Sequence, residues 1–158
     1  MKNALEFWRM CAQGVRFMDE VLLGKASIIE RCLKRIAALY AGHESELADN
    51  FDRQDAIVLN LQRACEASID AAMHRVRVLR LGIPKDSRDA FVLLAQAGAI
   101  DGPLASALQA MVGFRNVAVH AYQEIDAKVL ADILDSRLDD LRAFSAQLLV
   151  WALPGGAA

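Results

Sequence analysis

The chain has 158 residues, 55% of them hydrophobic, with 18 Lys and Arg against 20 Asp and Glu for a formal charge of −2. That length and apolar content suffice for one buried core and exclude a disordered tail. The slightly acidic balance excludes a protein that coats nucleic acid through bulk positive charge, so any RNA contact must come from a local cleft.

Residues 1–17, MKNALEFWRMCAQGVRF, are broken by Glu6 and Arg9 and hold no continuous apolar core of a signal peptide. They read as a leader or poorly ordered extension before a helical domain of residues 18–153. From Met18 to Tyr40, the residues Val21, Leu22, Ile28, Ile29, Cys32, Leu33, Ile36 and Leu39 recur at helical spacing, and Gly42 stops the run. A long second helix is predicted from Asp52 to Leu81, its stripe formed by Val58, Leu61, Cys65, Ile69, Ala72, Met73, Val76 and Leu79, with Gly82 and Pro84 ending it. Ser87 is taken as the N-cap of a short helix through Ala97, which Gly98 terminates. Asp101-Gly102-Pro103 opens a fourth helix with proline in its tolerated first turn. Asp126 caps one last helix carrying Val129, Leu130, Ile133, Leu134, Leu138, Leu141, Phe144 and Leu148 towards Trp151, and residues 154–158, PGGAA, form a flexible tail.

No segment of strand length alternates with a period of two, and the links are short, so the predicted fold is all-α, an antiparallel bundle of four to five helices. No run of about 18 uninterrupted apolar residues is present to span a membrane. There is no glycine-rich phosphate loop. Cys11, Cys32 and Cys65 lie far apart without a C-x-x-C pair, which points away from a zinc site or disulfide framework and suits a reducing cytoplasm. No metal or other cofactor is expected.

Chemistry concentrates at the end of the fourth helix, in Phe114-Arg115-Asn116-Val117-Ala118-Val119-His120-Ala121-Tyr122. Arg115 is a permanent cation, His120 can exchange a proton near neutral pH, and Tyr122 offers a hydroxyl; these are tools for binding or cutting a phosphodiester. At about 100° per residue, Arg115 falls in the stripe of Leu104, Leu108, Met111 and Val119, with Tyr122 on the same line. A guanidinium there needs an anion or a wet cleft, and Glu66 or Asp70 on the long helix could pair with it. His120 lies about 140° round from Arg115, so one straight helix cannot bring both tips to a single phosphate. Either the helix distorts near Ala121 or a second subunit completes the site. Asn116, four residues before His120, could hydrogen-bond the imidazole. His43 in the AGHESE loop reads as solvated, and His74 with Asp70 as an exposed helix pair. Arg75, Arg77 and Arg80 form a basic run that could touch an RNA backbone or simply face solvent.

Laid out this way, the chain resembles the HEPN superfamily, and within it the HepT-like toxins paired with a MntA-like minimal nucleotidyltransferase antitoxin. Arg115-Asn116-x-x-x-His120-x-Tyr122 matches the family's Arg-x-x-x-x-His-x-Tyr pattern, with Met111-Val112-x-Phe114 as its lead-in. Upstream matches include Asp55-Ala56, Leu59-Asn60-Leu61, Ile69-Asp70, Gly82-Ile83-Pro84 and Phe91-x-Leu93-Leu94, and the resemblance runs from Met18 to Val150. It implies a dimerising bundle with two motif copies facing one cleft and metal-independent cleavage of an RNA substrate, mRNA or tRNA. Arg115 and His120 would be catalytic, Asn116 and Tyr122 supporting, and Tyr122 the residue AMPylated by the antitoxin. A non-catalytic HEPN dimer that binds a nucleotide or a partner protein is the alternative from another functional class.

Overall fold

The computed structural model describes residues 18–121 and 125–156, and among these the chain is wholly helical, with no strand. Six α-helices follow in order: α1 (Glu20–Tyr40), α2 (Phe51–Leu79), α3 (Ser87–Gln96), α4 (Gly102–His120), α5 (Ala127–Ser136) and α6 (Leu138–Ala152), with a 3-10 turn at Glu44–Glu46 after α1. The expectations for residues 1–17, for Tyr122 and for the last two residues lie outside the described residues.

Short acidic or amide side chains start five of the six helices by satisfying N–H groups that have no partner inside the first turn. Asp19 accepts from the Val21 and Leu22 N–H groups at 3.1 and 3.2 Å. Asn50 accepts from Arg53 at 3.0 Å, Asp101 from Leu104 at 2.7 Å and Asp126 from Lys128 at 2.8 Å. The cap of α3 is Asp86, not Ser87: its carboxylate takes the N–H groups of Arg88 and Asp89 at 2.8 and 2.9 Å, and its backbone is extended while Ser87 is already helical. The single last helix expected from Asp126 onwards is two helices, broken at Arg137, whose φ of −118° is displaced well off the helical mean.

α2 is the central element, packed against α1 along its length and also against α3, α4 and α6. Its buried face carries Ala64, Ala67, Ala71 and Ala72, and α1 buries Ala26, small side chains that suit close helix packing. The core is filled from all six helices, with Leu22, Ile29 and Ile36 of α1, Ile57 and Leu61 of α2, Phe91, Leu108, Leu130 and Phe144 all fully buried. Phe144 meets Phe91 and Trp151 edge-on, with ring centroids 5.7 and 6.0 Å apart. Three residues assigned to apolar stripes, Val21, Val119 and Val129, are instead exposed at the edges of their helices. The start of α1 meets the end of α6 where the Asp19 N–H donates to the Ala152 carbonyl at 3.0 Å.

Candidate active site

Arg115 leaves α4 and crosses to α2, where its Nε and one terminal nitrogen both donate to the same Glu66 carboxylate oxygen. Its other terminal nitrogen, Nη1, donates to the Asn116 Oδ1 at 3.0 Å. The guanidinium is therefore fixed on two sides while staying about a quarter exposed. Each terminal nitrogen keeps a second N–H that takes no partner among the described residues, a donor that an anion would use.

Of the two carboxylates that sequence offered to Arg115, Glu66 takes it and Asp70 takes Lys25 of α1 at 2.6 Å. Asn116 is turned to Arg115 and makes no hydrogen bond to His120 among the described residues. α4 stays helical through His120, and the Ala121 N–H still donates to Val117 at 2.8 Å, so any break comes only after both residues. Arg115 accordingly faces α2 while His120 is exposed on another side of the same helix, next to exposed Val117 and Val119. Tyr122 lies outside the described residues.

The other candidates resolve differently from their local spacing. His74 does not pair with Asp70; its Nε2 meets the Asp19 carboxylate at 2.8 Å and its Nδ1 meets Arg77 at 3.0 Å. The run Arg75, Arg77, Arg80 is no patch. Arg75 is buried and stacks on Trp151, 5.0 Å from the ring centre, Arg77 is held by His74, and Arg80 closes α2 in a left-handed conformation. His43 is partly exposed and meets Glu46 at 3.0 Å.

Sequence reasoning missed the cations beside Arg115. A cleft of about 350 Å³ opens between α1 and α2, lined by Lys25, Arg31, Asn60, Gln62 and Arg63 and closed on the α4 side by Glu66, the same residue that holds Arg115. The helical wheel contained the signal, since Arg63 and Glu66 share a face of α2, but the partner face on α1 needed the fold. Cys65 lies behind this wall, where burial, and then the Glu66 charge, push its thiol up to about 12 and keep it protonated. No cluster of three or more His, Cys, Asp or Glu residues suited to a metal occurs among the described residues.

The model of the ribonuclease HepT-like family matches residues 29–148. The mRNA nuclease HepT of Shewanella oneidensis is 45% identical over 127 residues, covering 80% of this chain and 95% of that protein. A crystal structure of a toxin-antitoxin with AMP-PNP superposes with a TM-score of 0.78 at 42% identity, over 82% of this chain and 98% of the other. The tri-AMPylated HEPN toxin of Shewanella oneidensis in complex with an MNT antitoxin gives a TM-score of 0.78 at 43% identity, over 83% and 98%.

Proposed function

Because the chain belongs to the HepT-like ribonuclease family, we propose that it is the toxin half of a toxin–antitoxin pair, a ribonuclease that cleaves mRNA without a metal and is silenced by a MntA-like nucleotidyltransferase. The observation that carries this reading is the guanidinium of Arg115, locked between Asn116 and Glu66, the same Glu66 that lines a cleft carrying Lys25, Arg31 and Arg63.

In the proposed reaction the ribose 2′-oxygen bonds to the adjacent phosphorus and the bond from phosphorus to the 5′-oxygen breaks. His120 takes the proton that leaves the 2′-hydroxyl, the departing 5′-oxygen takes up a proton from solvent to become a 5′-hydroxyl, and Arg115 stabilises the charge that builds on the phosphoryl oxygens. DNA lacks the attacking hydroxyl and is not a substrate. Because α4 remains regular between Arg115 and His120, their divergent directions favour a site completed across a two-fold homodimer, with exposed Val117 and Val119 near its contact. AMPylation at Tyr122 would bring a phosphate and a bulky base to the end of α4, competing with substrate for Arg115. Among the described residues no helix is long and apolar enough to cross a membrane, and a nuclease acting on cellular mRNA would work in the cytoplasm.

The test is RNA cleavage by the purified chain in excess chelator. Arg115→Ala and His120→Ala are expected to abolish cleavage and growth inhibition while keeping a helical spectrum. Equal toxicity of wild type and His120→Ala overturns the mechanism, and intact RNA with a harmless wild type favours the binding module.

A further inference from the structure

Arg31 and Arg63 are exposed on neighbouring faces of α1 and α2, and neither enters an ion pair among the described residues. The two carboxylates that share their cleft are already engaged, Glu66 by Arg115 and Asp70 by Lys25. The cleft therefore presents two uncompensated guanidiniums, while Asn60 and Gln62 add amide groups to its wall. Both guanidiniums act on one point, since burial pushes the neighbouring Cys32 thiol up and the Arg31 and Arg63 charges oppose that shift. Along α2, Arg63 stands three residues before Glu66, a rise of about 4.5 Å, so the second cationic position is next to the first.

We propose that the cleft between α1 and α2 is a phosphate subsite for single-stranded RNA, in which Arg31 and Arg63 grip the backbone beside the phosphate held by Arg115. The subsite rests on the ribonuclease reading and extends it. An irregular single strand suits the place better than a duplex, because the cleft is short, lies between two helices and offers amide groups alongside its charges. The contact positions substrate without touching the reacting atoms. It contributes equally to ground state and transition state, and so acts on KM and leaves kcat alone.

The experiment uses the full chain and its Arg31→Gln, Arg63→Gln and doubly substituted variants, all at exposed positions. Two substrates are read. Cleavable single-stranded RNA gives KM and kcat, and an all-2′-O-methyl oligonucleotide, which lacks the attacking hydroxyl, gives binding alone. Each single substitution is expected to raise KM and the oligonucleotide Kd roughly five-fold, and the double roughly twenty-fold, with kcat within about two-fold of wild type. The slope of log Kd against log salt is expected to fall by about 0.7 per arginine removed. A wild type that cleaves RNA with KM indifferent to both substitutions overturns the subsite and leaves the nuclease standing. A wild type that binds the oligonucleotide through Arg31 and Arg63 but never cleaves RNA overturns the nuclease and leaves the subsite. Variants that keep RNA affinity but lose the antitoxin show that the cleft receives protein, and that also overturns it.

Discussion

Replacing Glu66 separates two roles that its carboxylate plays towards Arg115. It accepts from Nε and a terminal nitrogen and so orients the guanidinium, and it places a negative charge at the edge of an anion site. The pair is partly solvated, with side-chain exposures of 27% and 37%, so its net contribution to folding is at most about 1 kcal/mol and Glu66→Ala should remain folded. Without Glu66, only the Asn116 contact at 3.0 Å restrains a side chain with about 2 kcal/mol of rotamer entropy. Loosening a transition-state donor to that extent is expected to lower kcat about ten-fold, or about 1.4 kcal/mol. Removing the charge acts the other way on binding. At about 6 Å in a water-like dielectric, one unit charge is worth about 0.7 kcal/mol, so KM should fall about three-fold. Glu66→Gln keeps an acceptor and loses the charge, and should recover most of kcat while retaining the lowered KM. The assay is steady-state cleavage of single-stranded RNA over a range of concentrations. If Glu66→Ala leaves kcat unchanged, or Glu66→Gln is as slow as Glu66→Ala, Glu66 does not orient the arginine.

Two further outcomes concern the scaffold. Arg80 ends α2 at φ 55° and ψ 43°, a left-handed conformation that costs a residue with a Cβ about 1 kcal/mol, so Arg80→Gly should raise the unfolding temperature by about 2–4 °C; a lowered temperature would show that the arginine side chain matters more than its backbone. Burial pushes the Asp19 carboxyl up, but hydrogen bonds from His74 and the Leu22 and Val21 N–H groups outweigh it and hold the pKa below 3.8. The folded-state pKa is thus the lower one, so this stabilisation is complete above about pH 4 and is lost as pH falls through the folded value. Asp19→Asn should therefore flatten the acid limb of a denaturant-midpoint profile below about pH 4, and an unchanged limb would contradict the assignment.

The register of α1, α2 and α4 was legible because their apolar residues repeat at the helical period, although the caps Asp19 and Asn50 that start the first two were not singled out. The break at Arg137 was hidden, since Leu130, Leu134, Leu138 and Leu141 keep helical spacing straight across it and no Gly or Pro interrupts them. Asp86 and Ser87 are both good capping residues, and only the extended backbone at Asp86 separates them. Glu66 and Asp70 lie one turn apart on the same face of α2, so the choice between them depends on where α4 crosses, which is a tertiary fact. The pairing of His74 with Asp19 spans 55 residues and leaves no local trace. Arg75 is different: it follows buried Ala72 by three residues, and a helical wheel would have drawn it out of the basic run.

The hydrogen bond from the Asp19 N–H to the Ala152 carbonyl has a topological consequence. Since α1 begins where α6 ends, the backbone of residues 19–152 describes a nearly closed ring, and where that ring is cut is of little importance to its packing. A short flexible bridge from Leu153 back to Met18 would close it, and the chain could be reopened in the turn between α2 and α3, where Ile83 is 94% exposed. Such a permuted chain would present its new ends at the same end of the bundle as Asp19 and Trp151, where His74 and Arg75 of α2 already meet them, with α4 and the cationic cleft still held on uninterrupted helices.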